Sequence, residues 1–308
     1  MRDRKLHEIL KKMWLLCKKD SCRFHCARGN LTAHLSVLAL VLLIMTPVTG
    51  FSHSLYIQAG RHQVETGKSS LLFFCFGHHV PVDDALRRKK LKYVRVIAPD
   101  RTMTEVTLRD EKSLHSYLIK YEQVGTYALV AETVPGYFAI YTDKKGRKHH
   151  SLKPLHTFID NASEVKTSMR SSQWVKTYVV SGKPSIPFPG EVGMPMELVP
   201  LKDIFTLQKG DTLEIQVFNE GKPFTGEGFW DATYNGFSTE SEDLYLPSTQ
   251  IKGGKFVVPI DASGRWYVRY FTKTNAPEEK RGEYLTEKRT ATLVFEVRNK
   301  RKRPKVEQ

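Results

Sequence analysis

The 308-residue chain contains eleven histidines, unevenly placed: His7, His25 and His34 lie in the first fifty residues, eight fall between His53 and His156, and none follows. Imidazole is a ligand for nickel, copper, zinc and cobalt, so the clustering points to transition-metal chemistry. Gly77-His-His-Val-Pro-Val-Asp-Asp84 puts His78 and His79 at the end of an apolar run, with carboxylates at Asp83 and Asp84. Successive strand side chains point to opposite faces, so both imidazoles reach one ion only if the strand ends there, and Val80-Pro81 favours a turn. Gly146-Arg-Lys-His-His150 carries a second pair, His149 and His150, in a basic loop. His53 is the third candidate. Cleavage after Gly50 would expose Phe51-Ser-His53, whose amine, two amide nitrogens and imidazole make the square plane that Ni(II) and Cu(II) prefer. Cleavage after Ser52 would make His53 terminal, and its amine and ring nitrogen would then chelate one ion. The candidate ligand set is therefore His53, His78, His79, His149 and His150 for a transition-metal ion, and the N-terminal geometry suits Ni²⁺ or Cu²⁺. His62, His115 and His156 are read as packed or solvated histidines.

Other reactive groups are weaker candidates. Cys75, in Leu71-Leu-Phe-Phe-Cys-Phe76, reads as a buried apolar residue whose thiol is near enough to His78 to serve as a further ligand. Cys17, Cys22 and Cys26 match no common zinc spacing. Adjacent carboxylates such as Asp83 and Asp84 more often cap a turn than act as an acid–base pair. The sequence shows no Gly-x-Ser-x-Gly elbow, His-Glu-x-x-His or phosphate-binding loop, so no enzyme is expected.

The elements that must position these residues follow from pattern. Short β-prone runs separated by turn residues span 54–58, 70–76, 92–98, 105–109, 127–131 and 137–142, then 174–180, 213–219, 228–234, 255–260, 266–272 and 291–297. This spacing predicts an all-β protein of two antiparallel β-sandwich domains. The stretch Ser181-Gly-Lys-Pro-Ser-Ile-Pro-Phe-Pro-Gly190 disfavours helix and central strand and reads as a linker between residues 51–180 and residues 191–297. In the second half, Leu213, Ile215 and Val217 alternate inward and Gly221-Lys-Pro turns into the next strand, the pattern of an Ig-like or transthyretin-like sandwich.

The formal charge of +15 comes from 48 Lys and Arg against 33 Asp and Glu, but most of it sits at the two ends. Residues 298–308 form a basic disordered tail suited to weak contact with anionic lipid. No basic groove interleaved with aromatics appears between the ends, so no nucleic-acid partner is expected. The apolar run Leu35–Met45 follows a basic stretch. As a helix it would rise about 16 Å, short of a bilayer core, so residues 1–50 read as a cleaved export signal, with an uncleaved signal anchor as the alternative.

Ser52-His-Ser-Leu-Tyr-Ile57, Gly77-His-His-Val-Pro-Val-Asp-Asp84, Tyr127-Ala-Leu-Val-Ala-Glu132 with Pro135-Gly-Tyr137, and Pro195-Met-Glu-Leu-Val-Pro-Leu201 resemble a family of exported bacterial proteins. That family is filed as a domain of unknown function and described as the periplasmic component of cobalt/nickel transport systems. Gly210-Asp-Thr-Leu213, Gly264-Arg-Trp266 and Thr290-Ala-Thr-Leu-Val-Phe-Glu-Val297 extend the resemblance over residues 52–297. It implies a periplasmic accessory protein that captures Ni²⁺ or Co²⁺ and hands it to inner-membrane nickel/cobalt permease components of the energy-coupling-factor type. His53, His78 and His79 match the family's histidine positions. Some relatives end in a membrane-anchoring helix, where this chain has its basic tail. Two other classes stay open: a copper carrier or oxidative enzyme with an N-terminal histidine brace, and a carbohydrate- or protein-binding module using residues 228–246.

Overall fold

The computed structural model describes residues 53–77, 80, 83–241 and 243–299. The signal segment, His78, His79 and residues 300–308 of the tail lie outside the described residues. In chain order the strands are β1 Ser54–Ala59, β2 Gln63–Val64, β3 Ser69–Gly77, β4 Leu86–Arg87, β5 Leu91–Ile97, β6 Met103–Glu105, β7 Lys112–Ser113, β8 Ser116–Lys120, β9 Gly125–Thr133 and β10 Gly136–Asp143. They continue as β11 Lys148–Ser151, β12 Ala162–Ser181, β13 Met196–Pro200, β14 Thr212–Asn219, β15 Lys222–Pro223, β16 Glu227–Tyr234, β17 Leu246–Lys252, β18 Lys255–Pro259, β19 Gly264–Asn275 and β20 Thr286–Val297. The fold is all-β and sandwich-like. Among the described residues no helix is long and apolar enough to cross a membrane.

The organising element is β12, twenty residues long. Its first half pairs antiparallel with β10 and its last residues pair antiparallel with β9, while Met169–Thr177 run parallel to β20. This joins strands from both halves of the chain into one eleven-stranded sheet, ordered β17-β16-β19-β20-β12-β9-β5-β6 with β2, β10 and β11 attached. The period-2 alternation of β12 then feeds two cores. Trp174 and Tyr178 pack with Leu198, Leu213, Ile215, Val217, Phe256 and Val258 of the sheet β13-β14-β18. Val175 and Val179 pack with Leu55, Ile57, Leu72 and Phe74 of the sheet β1-β3-β8. Trp174 and Tyr178 on one face and Val175 and Val179 on the other are all buried, so each core gains hydrophobic stabilisation from the same strand.

The sandwiches expected at 51–180 and 191–297 thus share a sheet, and the described residues fall in the single compact unit Phe51–Gln308. The segment read as a linker, which holds a cis Ile186–Pro187 bond, is tied down at its far end. Lys176 and Tyr178 donate to the Gly190 carbonyl at 2.7 and 2.6 Å, and Lys176 forms a buried ion pair with Glu197. Glu197 in turn accepts from the amides of Val192, Gly193 and Met194. Burial pushes the Lys176 ammonium below the usual lysine range, and Glu197 opposes that shift. Removing one partner of such a pair leaves a buried charge and costs about 3–5 kcal/mol.

Candidate metal centre

β1 enters the fold at Ser54, and side chains of the large sheet fix the backbone around it. Gln173 Nε2 donates to the His53 carbonyl at 2.9 Å, and the same side chain accepts from the Leu55 amide at 2.8 Å. Arg269, buried on β19, donates from Nη1 to Ser54 Oγ at 2.8 Å and grips Asp231 of β16 through Nε and Nη2. Thr292 Oγ1 donates to the Leu55 carbonyl at 3.0 Å. A backbone held at His53 and Leu55, with the Ser54 side chain gripped between them, can orient the His53 side chain without help from that side chain.

The His53 imidazole stacks on Phe76 with ring centroids 5.3 Å apart, and its Nε2 lies 3.2 Å from Asp84 Oδ2. His53 remains 44% exposed and Asp84 59%, so solvent and ions reach the pair. β3 brings the chain here because Ser54 pairs with Gly77. At Gly77 the backbone turns at φ 139°, where a Cβ would also collide with the Asp83 carboxylate. The chain is back in place at Asp84, whose amide donates to the Phe76 carbonyl at 2.7 Å. Gly77 and Asp84 therefore both lie beside His53, while His78 and His79 between them lie outside the described residues. Among the described residues no group of three or more His, Cys, Asp or Glu side chains is arranged to hold a metal ion. His53 and Asp84 alone supply one nitrogen and one oxygen donor.

The other pair is placed differently. His149 and His150 are consecutive on β11, opposite Tyr141 and Ile140 of β10, so their side chains leave opposite faces of the hairpin. His149 stacks on Tyr141 and its Nε2 lies 2.8 Å from Asp143 Oδ2, while His150 packs edge-on to Phe138. Asp143 is 1% exposed and also accepts from the amides of Lys145 and Arg147 and from the Arg147 guanidinium. The Arg147 amide and His149 hold its carboxyl well below the usual carboxylate range, against the opposing effect of burial. That carboxylate is committed to the turn.

Cys75 is fully buried against Gln58, and burial pushes its thiol up to about 12. It is a neutral packing group, not a thiolate. His62 and His115 are buried and bonded to the carbonyls of Tyr178 and Leu86, while His156 is exposed. In the second half, Tyr234, Phe237, Tyr245 and Trp266 pack on one another, and the Tyr245 hydroxyl donates to Asp261 at 2.5 Å. Gln173, Arg269 and Asp231 escaped the sequence reading because they act on His53 and Ser54 from more than 100 residues away, with no local pattern to mark them. Asp84 was visible only as a turn residue.

The segment that carries both the His53 corner and the β12 spine matches one family model, over residues 50–274. The chain belongs to the DUF4198 family. The family is described as a domain of unknown function. No curated protein matches the chain in sequence. Among solved structures it is similar to a mutant alpha-2-macroglobulin from Salmonella, with 14% identity over 79% of this chain and 15% of that one at a TM-score of 0.23. An Escherichia coli alpha-2-macroglobulin activated by porcine elastase gives 10% identity over 82% of this chain and 31% of that one at a TM-score of 0.20. A Parabacteroides merdae beta-glucuronidase gives 10% identity over 80% and 24% at 0.19. The DUF4198 chain thus spans less than a third of the length of each of these structures.

Proposed function

We propose that this DUF4198 chain is a periplasmic metal-capturing accessory protein that binds Ni²⁺ or Co²⁺ as cargo at the His53 corner and delivers it to inner-membrane permease components. The observation that carries this reading is the half-exposed His53 imidazole, held by a clamped backbone beside Gly77 and Asp84, which flank His78 and His79 in the sequence. Imidazole donors suit these borderline metals, and a carboxylate at 3.2 Å either orients the ring or joins the ligand set. The permease partner and the choice of nickel or cobalt rest on the resemblance of the histidine motif. Asp84 Oδ2 lies 3.2 Å from the His53 imidazole and Asp83 precedes it in the chain, oxygen and nitrogen donors of the kinds that suit a divalent transition metal.

Native mass spectrometry of protein processed by its own signal, titrated with Ni²⁺, Co²⁺ and Cu²⁺, tests this reading. One Ni²⁺ or Co²⁺ per chain is expected, and the combined His53→Ala, His78→Ala variant is expected to lose it. Unchanged Ni²⁺ and Co²⁺ retention by that variant overturns the assignment. Retention of Cu²⁺ alone, on a chain whose mass begins at His53, would assign the copper-brace class instead.

A further inference from the structure

Next to the His53 corner the chain reads Leu86-Arg-Arg-Lys-Lys-Leu-Lys92, five basic residues in seven. Leu86 and Leu91 are buried and anchor the segment, leaving Arg87, Lys89, Lys90 and Lys92 exposed. The pairing of β4 with β7 sets Arg87 directly opposite exposed Lys112. Like charges at paired positions repel and weaken a two-stranded ribbon. Lys90 Nζ sits 4.4 Å from the Phe76 ring centroid, on the same ring against which His53 stacks. Burial first, and then Arg87 and Lys112, hold its ammonium below the usual lysine range, while Asp84 pulls the other way.

Some of the surrounding charge is already neutralised. Lys92 pairs with Glu132 and Arg109 with Glu111, both at 2.8 Å. Arg87, Lys89, Lys90 and Lys112 then outnumber the exposed acids of the same segments, Asp83, Asp84 and Asp110. Two aliphatic side chains accompany them. Val134 is 46% exposed, and its amide donates to the Lys90 carbonyl. Leu114, two residues past Lys112, is 54% exposed. Basic side chains flanked by protruding aliphatic ones match a phospholipid surface, where the cations meet phosphate and the apolar tips enter the headgroup boundary.

We propose that the rim formed by Arg87, Lys89, Lys90 and Lys112, with Leu114 and Val134, docks on an anionic phospholipid surface and presents the His53 corner at the membrane. The repulsion between Arg87 and Lys112 is relieved when both meet phosphate. Lipid fits better than an acidic peptide because the two aliphatic side chains gain nothing from carboxylates. The docking does not depend on metal binding, so its failure and that of the metal reading are separately visible.

The test is co-sedimentation of the full chain, without metal, with vesicles of phosphatidylcholine alone or mixed with phosphatidylglycerol. At about 5-fold per basic residue near the surface, the combined Arg87→Gln, Lys89→Gln, Lys112→Gln variant should lose on the order of 100-fold in partition to the anionic vesicles, with neutral-vesicle binding unchanged. The Leu114→Ser, Val134→Ser variant should weaken the same partition several-fold. All five positions are exposed, and an unchanged circular-dichroism melt confirms that the variants fold. Parental partition by the triple variant overturns the proposal. So does an unchanged partition of the Leu114, Val134 variant combined with full competition by soluble polyglutamate, which would assign the rim to an acidic protein segment.

Discussion

His149 and His53 each approach a carboxylate oxygen through Nε2, at 2.8 and 3.2 Å, and each lies against an aromatic ring, Tyr141 or Phe76. The two pairs look alike until their carboxylates are followed outward. Asp143 is buried and accepts from two backbone amides and Arg147 besides His149, so the hairpin depends on it. Asp84 is exposed, and the position of His53 is set by Gln173 gripping its carbonyl. A histidine placed by its backbone can exchange its side-chain partner for an ion, whereas one that completes a saturated carboxylate gives up a structural bond to do so.

A third histidine supplies the largest effect against which the pairs can be judged. Burial, then Arg265, lower His62 to about 4, so the native state resists a proton that the unfolded chain accepts near 6.5. Stability is therefore full above about pH 6.5 and falls as pH drops toward 4, by about 3 kcal/mol at the lower end. Urea unfolding at pH 7 and pH 4.5 should show this slope in the parent protein and in His53→Ala and His149→Ala, and a reduced slope in His62→Gln. A slope that vanished in His149→Ala would break the distinction between packing and turn histidines.

Metal affinity should separate the two pairs next. Calorimetric titration with Ni²⁺ is expected to show a loss on the order of 100-fold for His53→Ala and less than about 2-fold for His149→Ala. Equal losses would mean that the hairpin shares the site. Thermal melting should show the reverse preference. Asp143→Ala removes the acceptor for several donors and should lower Tm by about 5 °C, while Asp84→Ala should stay within about 1 °C. The smallest expected effect is Asp84→Asn, which keeps the shape of the corner and removes its charge. It should weaken Ni²⁺ binding about 10-fold if Asp84 orients or joins the site.

Much of this was legible from pattern. The runs at 54–58, 70–76, 92–98, 127–131 and 137–142 became β1, β3, β5, β9 and β10, that at 174–180 became the end of β12, and those of the second half became β14, β16, β18, β19 and β20. The run at 105–109 did not, because β6 ends at Glu105 where its pairing with β5 stops. The polar first half of β12, Ala-Ser-Glu-Val-Lys-Thr-Ser-Met, carries no strong apolar alternation, since much of it is only partly buried and its structure comes from β10. The shared sheet was invisible because the parallel pairing of β12 with β20 joins residues more than a hundred positions apart. His53 could be singled out from composition and motif. Its dependence on Gln173, and the commitment of His149 to Asp143, required side-chain partners that spacing does not encode.

The most direct measurement is nickel K-edge X-ray absorption on the Ni²⁺-loaded protein, counting imidazole ligands in the parent, His53→Ala and His149→Ala. One fewer imidazole in His53→Ala, with the His149→Ala shell identical to the parent, is the expected result. An unchanged shell in His53→Ala would contradict metal capture at the β1 and β3 corner.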